Sequence, residues 1–249
     1  MADGAAAVIA GAEALHVHPR DGRGRESVAG PDVAAALTAL RDLVRVPIGM
    51  PIGAGPLGAE RRLDAVRRWP VRPDVASVRF DEEGAAELAA GLLDQAVGVE
   101  ASVATPEAAE ALLRSGLASR SHRIAIAPRD QDLAAACATV HAIEQVLDGA
   151  APGVPRLLHG TETTAWGLVA EAGRRGYDVR MGLEDTTRLP DGMVAHDNGE
   201  LIRTALAVHR AAEIGSDLVA RRPATAPGAP ASVPAAPTPA VRPAARWGR

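Results

Sequence analysis

Val75-Ala76-Ser77-Val78-Arg79 followed by residues 82–95, then Gly98-Val99-Glu100-Ala101-Ser102 followed by residues 105–115, is the stretch that decides the fold. Each half is a short apolar run and then an Ala/Leu-rich segment of helical period. Strands that alternate with helices form parallel sheets, because a parallel pair needs a crossover and the helix supplies it. The alternation continues on both sides. Upstream, strand 14–18 precedes helix 32–44, and strand 47–50 precedes helix 59–68. Downstream, strands 123–127, 156–159 and 178–183 precede helices 132–147, 164–175 and 199–212. One further helix, around residues 3–12, stands in front with no strand before it.

Seven strand–helix pairs and an orphan helix predict an α/β chain, a TIM (β/α)8-type barrel lacking its first β-strand. A strand ahead of the orphan helix would complete the eightfold count. The predicted catalytic domain is residues 1–215. From Arg222-Pro223-Ala224-Thr225 onward the chain is rich in Ala and Pro, with no period that could bury a face, so residues 216–249 are expected to be a disordered tail.

Composition removes several classes of function. Every basic side chain but histidine is arginine; the 249 residues contain no lysine. Schiff-base catalysis and the P-loop both require a lysine amine, so both are excluded. Net charge is −4 and aromatic residues are 2% of the chain, without a basic stripe, which argues against nucleic-acid binding. The single cysteine, Cys137, rules out an intramolecular disulfide framework and fits a cytoplasmic protein. No apolar run approaches the ~20 residues of a membrane span. Met1-Ala2-Asp3-Gly4 lacks the basic start of a secretory signal.

His16-Val17-His18-Pro19-Arg20-Asp21 ends the first predicted strand. Side chains two apart on a strand share a face, so the two imidazoles converge, and imidazole suits Zn, Fe, Cu or Ni. Pro-Arg-Asp-Gly reads as an exit turn, which puts the pair at the carboxyl end of its strand, where α/β active sites gather. A pair of ordinary satisfied histidines carries about equal weight for so short a pattern. A second cluster lies on the last strand: Arg180-Met181-Gly182-Leu183-Glu184-Asp185. By the period of two, Arg180, Gly182 and Glu184 share a face, with Gly182 leaving room for a ligand. Two histidines, a carboxylate and an open position make a catalytic metal site. An Arg–Glu ion pair at a strand end is the plainer alternative.

The two motifs together resemble the β-keto acid cleavage enzymes, over about residues 5–212. The resemblance implies a TIM barrel in which His16, His18 and Glu184 hold one Zn²⁺ per subunit. It matches the family's last-strand Arg and Asp to Arg180 and Asp185, and a further glutamate to Glu100. Asp185 is then the base, with Arg180 and Glu100 positioning it. The implied reaction condenses a β-keto acid with acetyl-CoA as co-substrate and cleaves the product to acetoacetate and a new acyl-CoA. It needs no lysine. The expected partners are those small molecules and further copies of the chain, a homotetramer by resemblance, with neither nucleic acid nor membrane.

Two departures bear on substrate. Family members carry a Ser/Thr-Gly stretch where this chain reads Met50-Pro51-Ile52-Gly53, and a smaller polar residue where it has Arg79. Arg79 either binds a substrate carboxylate or pairs with Asp81. His159 and Gly53 complete the candidate substrate-binding set. Gly49, Gly53, Gly55 and Gly58 form a loop that either approaches CoA or only turns the chain. The alternatives to a cleavage enzyme are a barrel-type metal-dependent hydrolase, which usually needs further metal histidines, and an incomplete, non-catalytic barrel.

Overall fold

The computed structural model describes residues 2–53 and 58–220. The apolar runs form β1 (Leu15–His16), β2 (Ile48–Pro51), β3 (Val75–Arg79), β4 (Gly98–Val103), β5 (Arg123–Ile126), β6 (Arg156–Leu158) and β7 (Asp178–Val179). Every strand pairs in parallel with its neighbour in sequence, giving one seven-stranded sheet in the order β1 to β7. The helices are α1 (Ala2–Ile9), α2 (Gly30–Leu43), α3 (Ala59–Arg67), α4 (Ala85–Leu93), α5 (Pro106–Arg114), α6 (Leu133–Leu147), α7 (Ala165–Arg175) and α8 (Asn198–Ala220). The fold is the expected α/β one, a curled TIM-type barrel short of one stave. Among the described residues no ladder joins β7 to β1, yet α1 packs against α8, so the helical layer spans the interval that the sheet leaves open.

Local chemistry sets the element boundaries. Thr105 caps α5 by accepting from the amide of Ala108, with Pro106 in the first turn, where a missing N–H costs nothing. Asp132 caps α6 in the same way at Ala135 N, 2.9 Å. Gly176, at φ 67°, ends α7 in the left-handed conformation that a Cβ disfavours. In the middle of the sheet one face is apolar: Val99, Ala101, Val103, Ile124 and Ile126 share it and are all buried, while the opposite face carries Glu100 and Arg123. Gly173 lets α7 meet α8, since a Cβ there would collide with the carbonyl of His209.

The last strand departs from the sequence reading. Only Asp178 and Val179 pair with β6, not the expected 178–183. Gly182 to Asp185 instead form a turn, with Asp185 N and Thr186 N both donating to Gly182 O. Gly182 and the polar run Glu184-Asp185-Thr186-Thr187 beyond Leu183 favour a turn over a continued ladder. α8 also runs past its expected end at Ala212 to Ala220, so the first residues of the expected tail are helical. The rest of that tail, from 221, and Gly55 of the glycine loop lie outside the described residues. No described helix is long and apolar enough to cross a membrane.

Candidate metal centre and its cavity

The carboxyl ends of the strands open on a cavity of about 950 Å³. His16, His18, Glu100, Arg180, Glu184 and Asp185 all line it. His16 ends β1, and His18 follows in the exit segment, where Val17 N still donates to Gly49 O. Glu184 comes from the turn after β7. One ligand atom from each of His16, His18 and Glu184 lies within 4.8 Å of the others. The two rings stand edge to face, with centroids 5.4 Å apart. The period-of-two argument for Glu184 fails, because it sits on a turn; the turn delivers it to the histidines all the same.

The donor set fits a divalent cation on two grounds. Burial and the Arg180 charge bring the His16 imidazole down to about 4, which keeps it neutral with a lone pair to give. Burial pushes the Glu184 carboxyl up, but His18 and the Arg180 guanidinium outweigh it and hold the group at about 2, fully ionised. Both ring nitrogens of His18 are buried without a well-formed hydrogen bond. Nε2 is 2.8 Å from Glu184 Oε2, and Nδ1 is 3.0 Å from Glu26 Oε1. The Glu184 carboxylate raises His18 above its usual value. Orphaned nitrogen beside carboxylate oxygen is what a ligand set looks like when described as protein alone.

Glu26 was not anticipated from sequence. It reaches His18 because Asp21 Oδ1 accepts from the amides of Arg23 and Arg25, tightening a turn that pairs Glu26 antiparallel with Arg20. The Asp-Gly-Arg-Gly run after the histidines was the available signal. A carboxylate on the far nitrogen of a histidine fixes which nitrogen faces a metal.

Asp185 lies beside this group and is buried. Arg180 Nη2 donates to its Oδ1 at 3.3 Å and pairs with Glu184 Oε1 at 3.0 Å. His159 Nδ1 is 3.5 Å from the same Oδ1. Asp185 Oδ2 is buried with no hydrogen-bond partner among the described residues. One oxygen is held and the other is bare. The backbone is fixed as well: Glu162 N donates to Asp185 O at 2.6 Å, and Glu162 takes a positive φ of 49° to do so. That φ is uncommon for a residue with a Cβ.

The structure places four of the residues read from sequence as follows. Glu100 does not touch Asp185; it pairs with Arg123 Nε at 2.6 Å, its register partner across β4 and β5. Burial raises the Glu100 carboxyl, but Arg123 and His16 prevail and hold it at about 2. The room at Gly182 belongs not to a ligand but to Asn198, whose Oδ1 would stand 3.2 Å from an added Cβ and accepts from Leu183 N at 2.9 Å. Arg79 lines the cavity and donates to Asp81 at 2.9 and 3.2 Å, approaching Glu82 at 3.4 Å, while Arg129 contacts the same Asp81. His159 lines the cavity as expected and faces Asp185; it does not join the metal-ligand group, so among the described residues that group holds no third histidine. Gly53 lies on the cavity wall as expected.

Comparison with known proteins follows the same line. The model of the β-keto acid cleavage enzyme family matches residues 104–225. No curated protein matches the chain. Among solved structures, a binary complex of ObcA with oxaloacetate matches with TM-score 0.65 at 16% identity, over 87% of this chain and 65% of ObcA. ObcA in its apo form matches with TM-score 0.63 at 17% identity, over 88% and 60%. A ternary complex of ObcA with a C4-CoA adduct and oxalate gives TM-score 0.63 at 17% identity, over 88% and 62%. At such identity the likeness is one of fold. This chain spans 60–65% of the length of those structures.

Proposed function

We propose, from the premise that this chain belongs to the β-keto acid cleavage enzyme family, that it condenses a β-keto acid with acetyl-CoA and cleaves the adduct to acetoacetate and a new acyl-CoA. The observation that carries the reading is the bare, buried Oδ2 of Asp185, a residue that lines the same cavity as His16, His18 and Glu184. ObcA, with its oxaloacetate and C4-CoA adduct complexes, lends support on substrate chemistry, since oxaloacetate is itself a β-keto acid.

His16, His18 and Glu184 would hold Zn²⁺, which when bound supplies a Lewis acid for charge developing on a keto oxygen. Asp185 Oδ2 takes the proton from the carbon between the keto and carboxylate groups. Its Oδ1 is held by Arg180 and faces His159, which leaves Oδ2 as the oxygen without a partner. The resulting carbanion attacks the acetyl thioester carbonyl and expels CoA as thiolate. The thiolate adds to the original keto carbon, and the bond from that carbon to the former α-carbon breaks. That electron pair recovers the proton from Asp185, and acetoacetate and the new acyl-CoA leave.

The test is incubation of Zn²⁺-loaded protein with acetyl-CoA and a panel of β-keto acids, read by mass spectrometry. Acetoacetate and a new acyl-CoA are expected in equal amounts for at least one substrate. Bound zinc with no acetoacetate from any of them overturns the reading.

A further inference from the structure

The candidate ligands come from the two strands that lack a neighbour on one side. His16 and His18 belong to β1 and its exit; Glu184 belongs to the turn after β7. These are the shortest strands of the sheet, with two residues each, and among the described residues no ladder joins them. The contact of α1 with α8 closes the outer layer, but it leaves the inner edges facing one another without backbone bonds. At their carboxyl ends the two edges meet through side chains, where His18 Nε2 is 2.8 Å from Glu184 Oε2.

We propose that a divalent cation bound by His16, His18 and Glu184 is also the clasp of the open barrel, tying β1 to β7 where the fold has no hydrogen-bonded ladder. The proposal rests on the trio being a metal centre and adds a structural role to it. Short edge strands with few ladder bonds open locally at low cost. Without a cation they are tied at this end by a single imidazole–carboxylate pair, its carboxylate side chain 39% exposed, and pairs open to solvent in this way contribute little. Coordination from both sides binds the native arrangement and not the opened one, so the cation's binding energy opposes separation of these two edges in particular. The interior strands β4 and β5, paired on both sides, gain only what the whole molecule gains.

Hydrogen exchange on the full chain, read by mass spectrometry, tests this. The protein is compared after chelator treatment and after loading with one equivalent of Zn²⁺, with zinc content measured in parallel. Exchange in the segments covering residues 14–18 and 178–186 is expected to slow at least tenfold more than in β4. In a Glu184→Ala variant, added Zn²⁺ is expected to leave residues 178–186 unprotected. Bound zinc that slows exchange evenly across the sheet overturns the clasp and leaves the metal centre intact. The same holds if residues 178–186 stay protected in the variant. A wild-type protein that takes up no zinc overturns both.

Discussion

Asp185 and Glu26 illustrate two ways in which a single carboxylate acts. Under the proposed mechanism, Asp185→Asn keeps the side chain's shape and an oxygen for Arg180 but removes the base. Acetoacetate formation is expected to fall ~10²–10⁴-fold, the usual worth of a positioned base, with zinc content unchanged. A variant that also loses its zinc would place Asp185 among the ligands instead. Glu26 touches no substrate in this reading; its place is against the far nitrogen of His18. Glu26→Gln is expected to weaken zinc binding about tenfold, measured by competition with a chromophoric chelator. The histidine pair and Asp185 were legible because their chemistry is local in sequence. Glu26 was not, because only the folded turn brings it back to His18. The Arg123 partner of Glu100 was not legible, since nothing in the sequence tells which neighbouring strand lies beside it.

At the level of elements, the β4–β5 rung Glu100–Arg123 and the α7–α8 contact carry separate expectations. Glu100→Gln leaves a mostly buried guanidinium without its nearest partner and is expected to cost about 3 kcal/mol in urea unfolding at neutral pH. The pH dependence has a definite sign. The folded carboxyl stands at about 2, against 4.5 in its ordinary state, so its contribution is present above pH 4.5 and is lost as pH falls toward 2. The gap between wild type and variant should therefore close over that window; a gap constant with pH would show that the pair is not its source. Gly173→Ala places a methyl against the backbone of α8 and is expected to cost about 2 kcal/mol through overpacking, seen as a lower unfolding midpoint. The elements themselves were readable from periodicity, and β3 even in its ends. β7 was overextended because Arg180-Met181-Gly182-Leu183 alternates polar and apolar residues as a strand does. What stops it is the pair of Gly182 hydrogen bonds and the pinning of Leu183 by Asn198, fifteen residues away, which no local pattern reports.

For the whole molecule, the sequential strand order follows directly from the strand–helix alternation, and the open interval from the orphan helix in front. The convergence of the cavity residues from β1, β4, β6 and the β7 turn was legible only where a resemblance supplied it. Bottom-up spacing can aim two side chains at one point on a strand but cannot say which distant turn will meet them. One property of the folded chain reaches beyond its own architecture. Among the described residues the cationic partners in the ion pairs, from the Arg62–Glu82 bridge to the Arg175–Glu144 pair, are guanidinium or imidazole groups. Thioesters acylate free amines, and the side chains of this protein present none. Prolonged exposure to reactive acyl-CoA is therefore expected to leave its peptides without the side-chain amide adducts that a lysine-bearing protein treated alongside would collect. A protein that works among activated acyl groups would in this way be spared from labelling itself.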